Sequence, residues 1–124
     1  MSAAAFAFLV TGVLLNAAAQ LLLKAGTNRL GIVTLAPGDF TETLSRIAAE
    51  GHVLAGLALY GVSVVVWIAG LSRVPVSVAY PMLSLGYVVN ALAAQYLFGE
   101  AVSMQRWLGI GFIVLGVWLV ARST

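Results

Sequence analysis

The sequence contains no cysteine and one histidine, His52, in 124 residues. Disulfides and thiolate metal sites are excluded, and a lone imidazole cannot build a metal centre. Charge is also scarce. Six basic and four acidic residues make up 8% of the chain, where a soluble domain carries about 25%. All four acids (Asp39, Glu42, Glu50 and Glu100) fall in connections or at the end of a segment, so no long apolar run holds a carboxylate. A proton-driven pump of this size would need a titratable acid inside the bilayer. Nucleophile–base pairs, phosphate-cradling glycine loops and metal-ligand clusters are missing too. Neither enzymatic activity nor a cofactor is expected. The net charge of +2 rests on few groups and gives no basis for nucleic-acid binding.

What the chain has in abundance is apolar surface: 62% of its residues are hydrophobic, with a mean hydropathy of +1.07. No soluble fold of this size hides so much, so lipid must be the solvent. A bilayer core of about 30 Å takes about 20 helical residues to cross. Residues 3–25, 53–72, 74–98 and 104–121 meet or approach that length. The runs are continuous rather than alternating, which excludes a β-barrel. The expected fold is an all-α membrane protein: a single domain over 1–124 with four transmembrane helices, completed by dimerisation. The first run lacks a basic leader and exceeds the apolar core of a signal peptide, so it reads as a retained helix.

The first segment is expected to end near Gly26 as a C-cap, with Lys24 snorkelling toward the headgroups. The connection that follows is the longest. Within it Pro37-Gly38 breaks the chain, and Asp39 and Glu42 have the spacing of a capping box. Phe40, Leu44, Ile47 and Ala48 then recur at helical intervals, which predicts a short interfacial helix over 39–50; an ordinary solvated loop is the alternative. Only the short link Leu71-Ser72-Arg73-Val74-Pro75, which overlaps the segment ends, lies between the second and third segments, and it forces an antiparallel pair. Ser103 is a suitable N-cap for the fourth. The first and third connections, with their segment ends, hold Lys24, Arg29, Arg46 and Arg106, against Arg73 and Arg122 on the other side. The positive-inside rule favours both termini outside the cytoplasm, and a margin of four against two equally permits dual insertion.

Few polar residues interrupt the apolar runs. Asn16, Gln20 and Lys24 recur every fourth position and share one face. Amides in hydrocarbon seek partners, so this stripe serves either interhelical hydrogen bonding or a polar seam for a ligand headgroup. The ammonium of Lys24 can pair with phosphate. In the third segment Tyr80, Ser84 and Tyr87 share a face, with Asn90 and Gln95 further along. Pro81 removes a backbone hydrogen bond there; such discontinuities line cavities in transporters, and the alternative is a proline that only bends the helix. Tyr60 and Trp67 of the second segment fit either a binding chamber or lipid-interface anchoring. Gly109 and Gly116 lie seven apart on the fourth segment and form a shallow face suited to helix association. They are the expected dimer contact.

Three stretches carry a resemblance: VPVSVAYPMLSL at 74–85, then Gly99, Glu100, Val102 and Ser103, then RWLGIGFIVLGV at 106–117. Together with Gln20 and Lys24 at their mutual spacing, they resemble the small subunits of the aminoarabinose–phosphoundecaprenol flippase. Those subunits belong to the small multidrug resistance branch of the drug/metabolite transporter superfamily. The resemblance implies four helices per subunit and a homodimer or a heterodimer with a related small subunit. It implies a multi-pass protein of the bacterial inner membrane that moves a polyprenyl-phosphate-linked sugar between leaflets. On this reading Lys24 or an interfacial arginine attracts the phosphate, and Asn16, Gln20, Tyr60, Tyr80, Ser84 and Tyr87 supply neutral contacts. Relatives that export cationic drugs carry a glutamate eight residues before the helix-end lysine. Here that residue is Asn16, and a neutral amide cannot exchange protons for a cation. A small-cation or polyamine exporter is therefore the second reading, and a non-transporting accessory subunit the third.

Overall fold

The computed structural model describes residues 2–123 as six helices with no strand among them. They are α1 (Ala3–Leu30), α2 (Phe40–Ala49), α3 (Gly51–Leu71), α4 (Val76–Met82), α5 (Leu85–Leu97) and α6 (Met104–Arg122). Four spans are long and apolar enough to cross a membrane: α1, α3, α4 with α5, and α6. The 28 residues of α1 give a rod of about 42 Å, longer than a hydrocarbon core of about 30 Å.

The architecture rests on α1 and α3, which run antiparallel and closer together than any other pair. Gly70 lies against Leu9, Gly12 against Trp67, Gly56 against Ala19, and Gly26 against Val53. Lipid gives no hydrophobic drive for helix association, so close van der Waals packing must supply it. Both helices provide for this with small residues seven apart. Ala5, Gly12, Ala19 and Gly26 are all buried on α1. Gly56, Ser63 and Gly70 are all buried on α3. A seven-residue repeat keeps one seam facing one partner along a left-handed crossing. A Cβ at Gly56 would stand 3.1 Å from the Ala19 carbonyl oxygen, and one at Gly70 2.6 Å from Leu9 Cδ2.

This packing corrects the expected end of the first helix. Gly26 is no cap; it lies inside α1, where its missing side chain admits Val53. The helix continues to Leu30 and stops at Gly31, whose φ of 81° suits glycine and whose N–H donates to the Thr27 carbonyl. The Arg46 guanidinium then donates to the Leu30 carbonyl at 2.7 Å, a cation on the negative end of the helix dipole.

The short helix of the first connection forms as α2, but the expected capping box does not. Asp39 has ψ near 1° and makes no side-chain cap hydrogen bond, because that turn conformation aims its carboxyl away from the first helical N–H groups. Thr43 is tied down instead, donating to the Thr34 carbonyl at 2.9 Å. The second span begins at Gly51, earlier than expected, because Glu50 caps it by accepting from the His52 N–H. Ser103 does cap α6, accepting from the Arg106 N–H.

The third span is two helices rather than the single one expected over 74–98. Pro81 lies inside α4 and has no N–H to donate to the preceding turn. The backbone tightens through Leu83 and Ser84 into three-residue hydrogen bonds, Leu83 to Tyr80 and Ser84 to Pro81, both 3.0 Å. α4 supplies Ala79 and Met82 to a small core with Leu9 of α1 and Val117 of α6. Val117 is the buried residue of α6, which touches α4 and α5; its other residues are half-buried or exposed.

Candidate functional site

Two cavities flank α1, and they divide the polar residues singled out in the sequence. The first measures about 290 Å³ and lies among α1, α3 and α4. Asn16, in the middle of α1, faces it. Tyr60, Ser63 and Trp67 line it from α3, and Tyr80 and Leu83 from the break in the third span. Gly12 sits behind Trp67, so the indole packs against α1 backbone, and a Cβ there would be 3.3 Å from the ring. Tyr80 meets Trp67 edge-on, with ring centroids 5.9 Å apart and planes at 75°, the arrangement the aromatic quadrupoles favour.

Every polar group on this wall is neutral. Ser63 is buried and donates to the Tyr60 carbonyl at 2.6 Å, which leaves its oxygen free to accept. The Asn16 amide and the hydroxyls of Tyr60 and Tyr80 offer further donors and acceptors. Among the described residues no charged side chain lines the cavity. Such a chamber can replace part of the hydration of a polar headgroup without fixing an ion in place.

The second cavity, about 270 Å³, lies between α1 and α5 and takes in Gln20, Lys24, Asn90 and Glu100. The helical stripe Asn16–Gln20–Lys24 is thus shared between two chambers rather than facing one. Asn16 and Lys24 are eight residues apart, about 12 Å along the axis. Of Tyr80, Ser84 and Tyr87, the first lines the chamber, while the other two lie in or beyond the break and line neither cavity. Ser84 stands in the break as the N-cap residue of α5 and makes no side-chain cap hydrogen bond. Tyr87 is 55% exposed and lines neither chamber. Gly109 and Gly116 have nothing within 4 Å of a hypothetical Cβ. Their face is open in the single chain.

Sequence reasoning missed Ser63 and Glu100 as cavity residues. For Ser63 the signal was its place midway between Gly56 and Gly70. Nothing in the local sequence carries Glu100 to Lys24; the approach of α5 to α1 does.

A charged cluster stands apart at the start of α3. Glu50 accepts from the His52 ring at 2.9 Å and lies 3.7 Å from Arg29. Hydrogen bonds from the His52 ring and N–H, with Arg29 nearby, hold its carboxyl below the ordinary glutamate range despite some desolvation. Among the described residues no group of acids and histidine could hold a metal ion.

No family model matches the chain, and no solved structure does. Curated sequences do. The chain is 35% identical over 113 residues to the probable 4-amino-4-deoxy-L-arabinose-phosphoundecaprenol flippase subunit ArnF of Yersinia enterocolitica, covering 90% of this chain and 88% of that protein. It is 37% identical over 119 residues to the ArnF subunit of Proteus mirabilis, covering 93% and 90%. A shorter match, 41% over 76 residues, reaches the probable ArnE subunit of the same flippase from Pseudomonas syringae, covering 61% and 70%. These relatives and the four apolar spans make it a multi-pass protein of the bacterial inner membrane, and it belongs to the family of small aminoarabinose–phosphoundecaprenol flippase subunits.

Proposed function

We propose that the chain is one small subunit of a flippase that carries a polyprenyl-phosphate-linked aminosugar across the inner membrane. The observation that supports this most directly is the mid-helix chamber with neutral polar walls. A headgroup crossing hydrocarbon loses its water, and hydrogen bonds must offset part of that loss. A fixed charge at mid-membrane would hold the headgroup too firmly for release. Asn16, Tyr60, Ser63 and Tyr80 supply reversible contacts, while the polyprenyl tail stays in lipid. Lys24 and Gln20, nearer the end of α1, meet the phosphate first. Ser84 and Tyr87 take no part in this reading. Transport of this kind makes and breaks no covalent bond, so no enzymatic step is assigned. Asn16 cannot take up or release a proton at ordinary pH, which leaves a proton-coupled cation exporter without its central group.

One chain of four spans is too small to enclose the path. A second small subunit, either a copy or a relative, closes it against α6, with Gly109 and Gly116 at the contact. The test is transport in proteoliposomes, with the purified assembly and the aminosugar lipid in both leaflets. An amine-reactive reagent that cannot cross the bilayer labels outward-facing headgroups. Continued labelling of the inner pool is expected only with the protein present and should slow strongly with Asn16→Leu. Labelling that stops at the outer leaflet, with or without protein, would sink the proposal.

A further inference from the structure

The cavity between α1 and α5 has a chemistry unlike that of its neutral neighbour. Lys24 and Glu100 carry opposite charges, and both line it. Yet they form no ion pair with each other, since the ion pairs among the described residues are Arg29–Glu50 and His52–Glu50. Neither side chain makes a hydrogen bond within the described chain. Asn90 adds a third feature: its Oδ1 is shut off from water and has no donor. Buried acceptors are almost always satisfied, so this amide, on the cavity wall, gains a donor once its side chain turns toward a bound ligand. Glu100 reaches the cavity through its local backbone. Gly99, with φ of 68°, turns the chain back over the end of α5, and the Glu100 N–H donates to the Ala94 carbonyl at 2.9 Å.

We infer that this cavity reads a zwitterionic lipid headgroup. Lys24 Nζ takes the anionic phosphodiester. The Glu100 carboxylate and Asn90 Oδ1 take a primary ammonium on the sugar. The inference rests on the flippase reading and adds what that reading leaves open: the amino group is the recognised feature. A carboxylate and an amide oxygen are acceptors only, and an ammonium offers three donors. A formylated amine keeps one N–H and loses the charge. The position suits such sorting. Lys24 lies about 12 Å from the middle of α1, close to the edge of the hydrocarbon, where water moderates ionic attraction and keeps binding reversible. Charge is thus read at the entrance, before the neutral chamber accepts the headgroup.

The test uses the native assembly in nanodiscs and two probes: a polyprenyl phosphate bearing 4-amino-4-deoxy-L-arabinose, and the same lipid N-formylated. Wild-type protein should prefer the free amine by roughly fivefold, as a hydrated charge pair would give. Glu100→Gln should abolish that preference while leaving affinity for the formylated lipid unchanged, which also shows that the variant is folded. Lys24→Met should weaken both lipids alike. The inference is overturned if Glu100→Gln keeps the preference, if it weakens both lipids equally, if Lys24→Met binds both as wild type does, or if wild type binds both equally. Failure of wild type to retain either lipid would overturn the flippase reading itself.

Discussion

α1 and α6 are both apolar spans with spaced glycines, yet the glycines do opposite things. On α1, Gly12 and Gly26 meet the backbone and side chains of α3, and seven residues of the helix are buried. On α6, Gly109 and Gly116 meet nothing, and Val117 is the buried residue. A small residue in a membrane helix is an offer of close approach, and whether it is taken up depends on the neighbour. The α1–α3 seam is filled within the chain. The α6 face leaves room for a second subunit. α6 also has another exposed side, a shallow apolar groove with Met104, Leu108, Gly111 and Leu115 on its wall. At 100° per residue, that groove lies well away from the glycine face.

The sharpest way to break this comparison is to put the same side chain on both helices. Gly26→Leu should be the most damaging, because the new side chain meets Val53, including its backbone nitrogen at 3.1 Å. A loss of about 3 kcal/mol is expected, measured as unfolding in detergent or failure to accumulate in the membrane. Gly116→Leu should leave the stability of the single chain within about 0.5 kcal/mol of wild type. A comparable loss at both positions would show that α6 is packed more tightly than its open face implies.

The second prediction concerns association. Gly116→Leu should weaken pairing by about 1–2 kcal/mol, the low end of overpacking at a contact that can partly adjust. Crosslinking in lipid would read it. If Leu108→Trp lowers the yield and Gly116→Leu does not, the contact is the groove rather than the glycine face.

The smallest expected effect lies at the far end of the seam. Glu50 caps α3, and its carboxyl is held below the ordinary range by His52 and Arg29. A depressed carboxyl contributes stability that is fully present above its unfolded value, about 4.3, and is lost as pH falls through the lower folded value. Amide exchange at Gly51 and His52 should therefore quicken modestly below about pH 4, beyond the intrinsic pH trend. Glu50→Gln should show that quickening already at neutral pH and lose its acid dependence.

Much of this was legible in the letters, and the illegible part has a physical pattern. The four spans announce themselves because lipid demands length and apolarity, both local properties. Helix ends were harder. Gly26 carries the signature of a stop, but a close approach uses the same residue for the same reason, the missing Cβ. Asp39 and Glu42 have capping spacing, but a cap also needs an extended backbone, which the turn before α2 denies. The seam itself was in plain view at Ala5, Gly12, Ala19 and Gly26. Its meaning depends on the matching repeat at Gly56, Ser63 and Gly70, and only a pairing of helices gives either one a function. The polar stripe shows the same limit. Periodicity places Asn16, Gln20 and Lys24 on one face, but it cannot say that α3 and α4 border the first while α5 borders the other two.

The edge contact between Tyr80 and Trp67 makes the neutral chamber optically addressable. The chain has three tryptophans, and the other two, Trp107 and Trp118, belong to α6. Replacing those two with phenylalanine leaves a single emitter on the chamber wall. Its spectrum and quenching then follow water, lipid or a sugar headgroup entering beside it. On the proposed function, arrival of cargo would become a spectral change that can be timed on the millisecond scale.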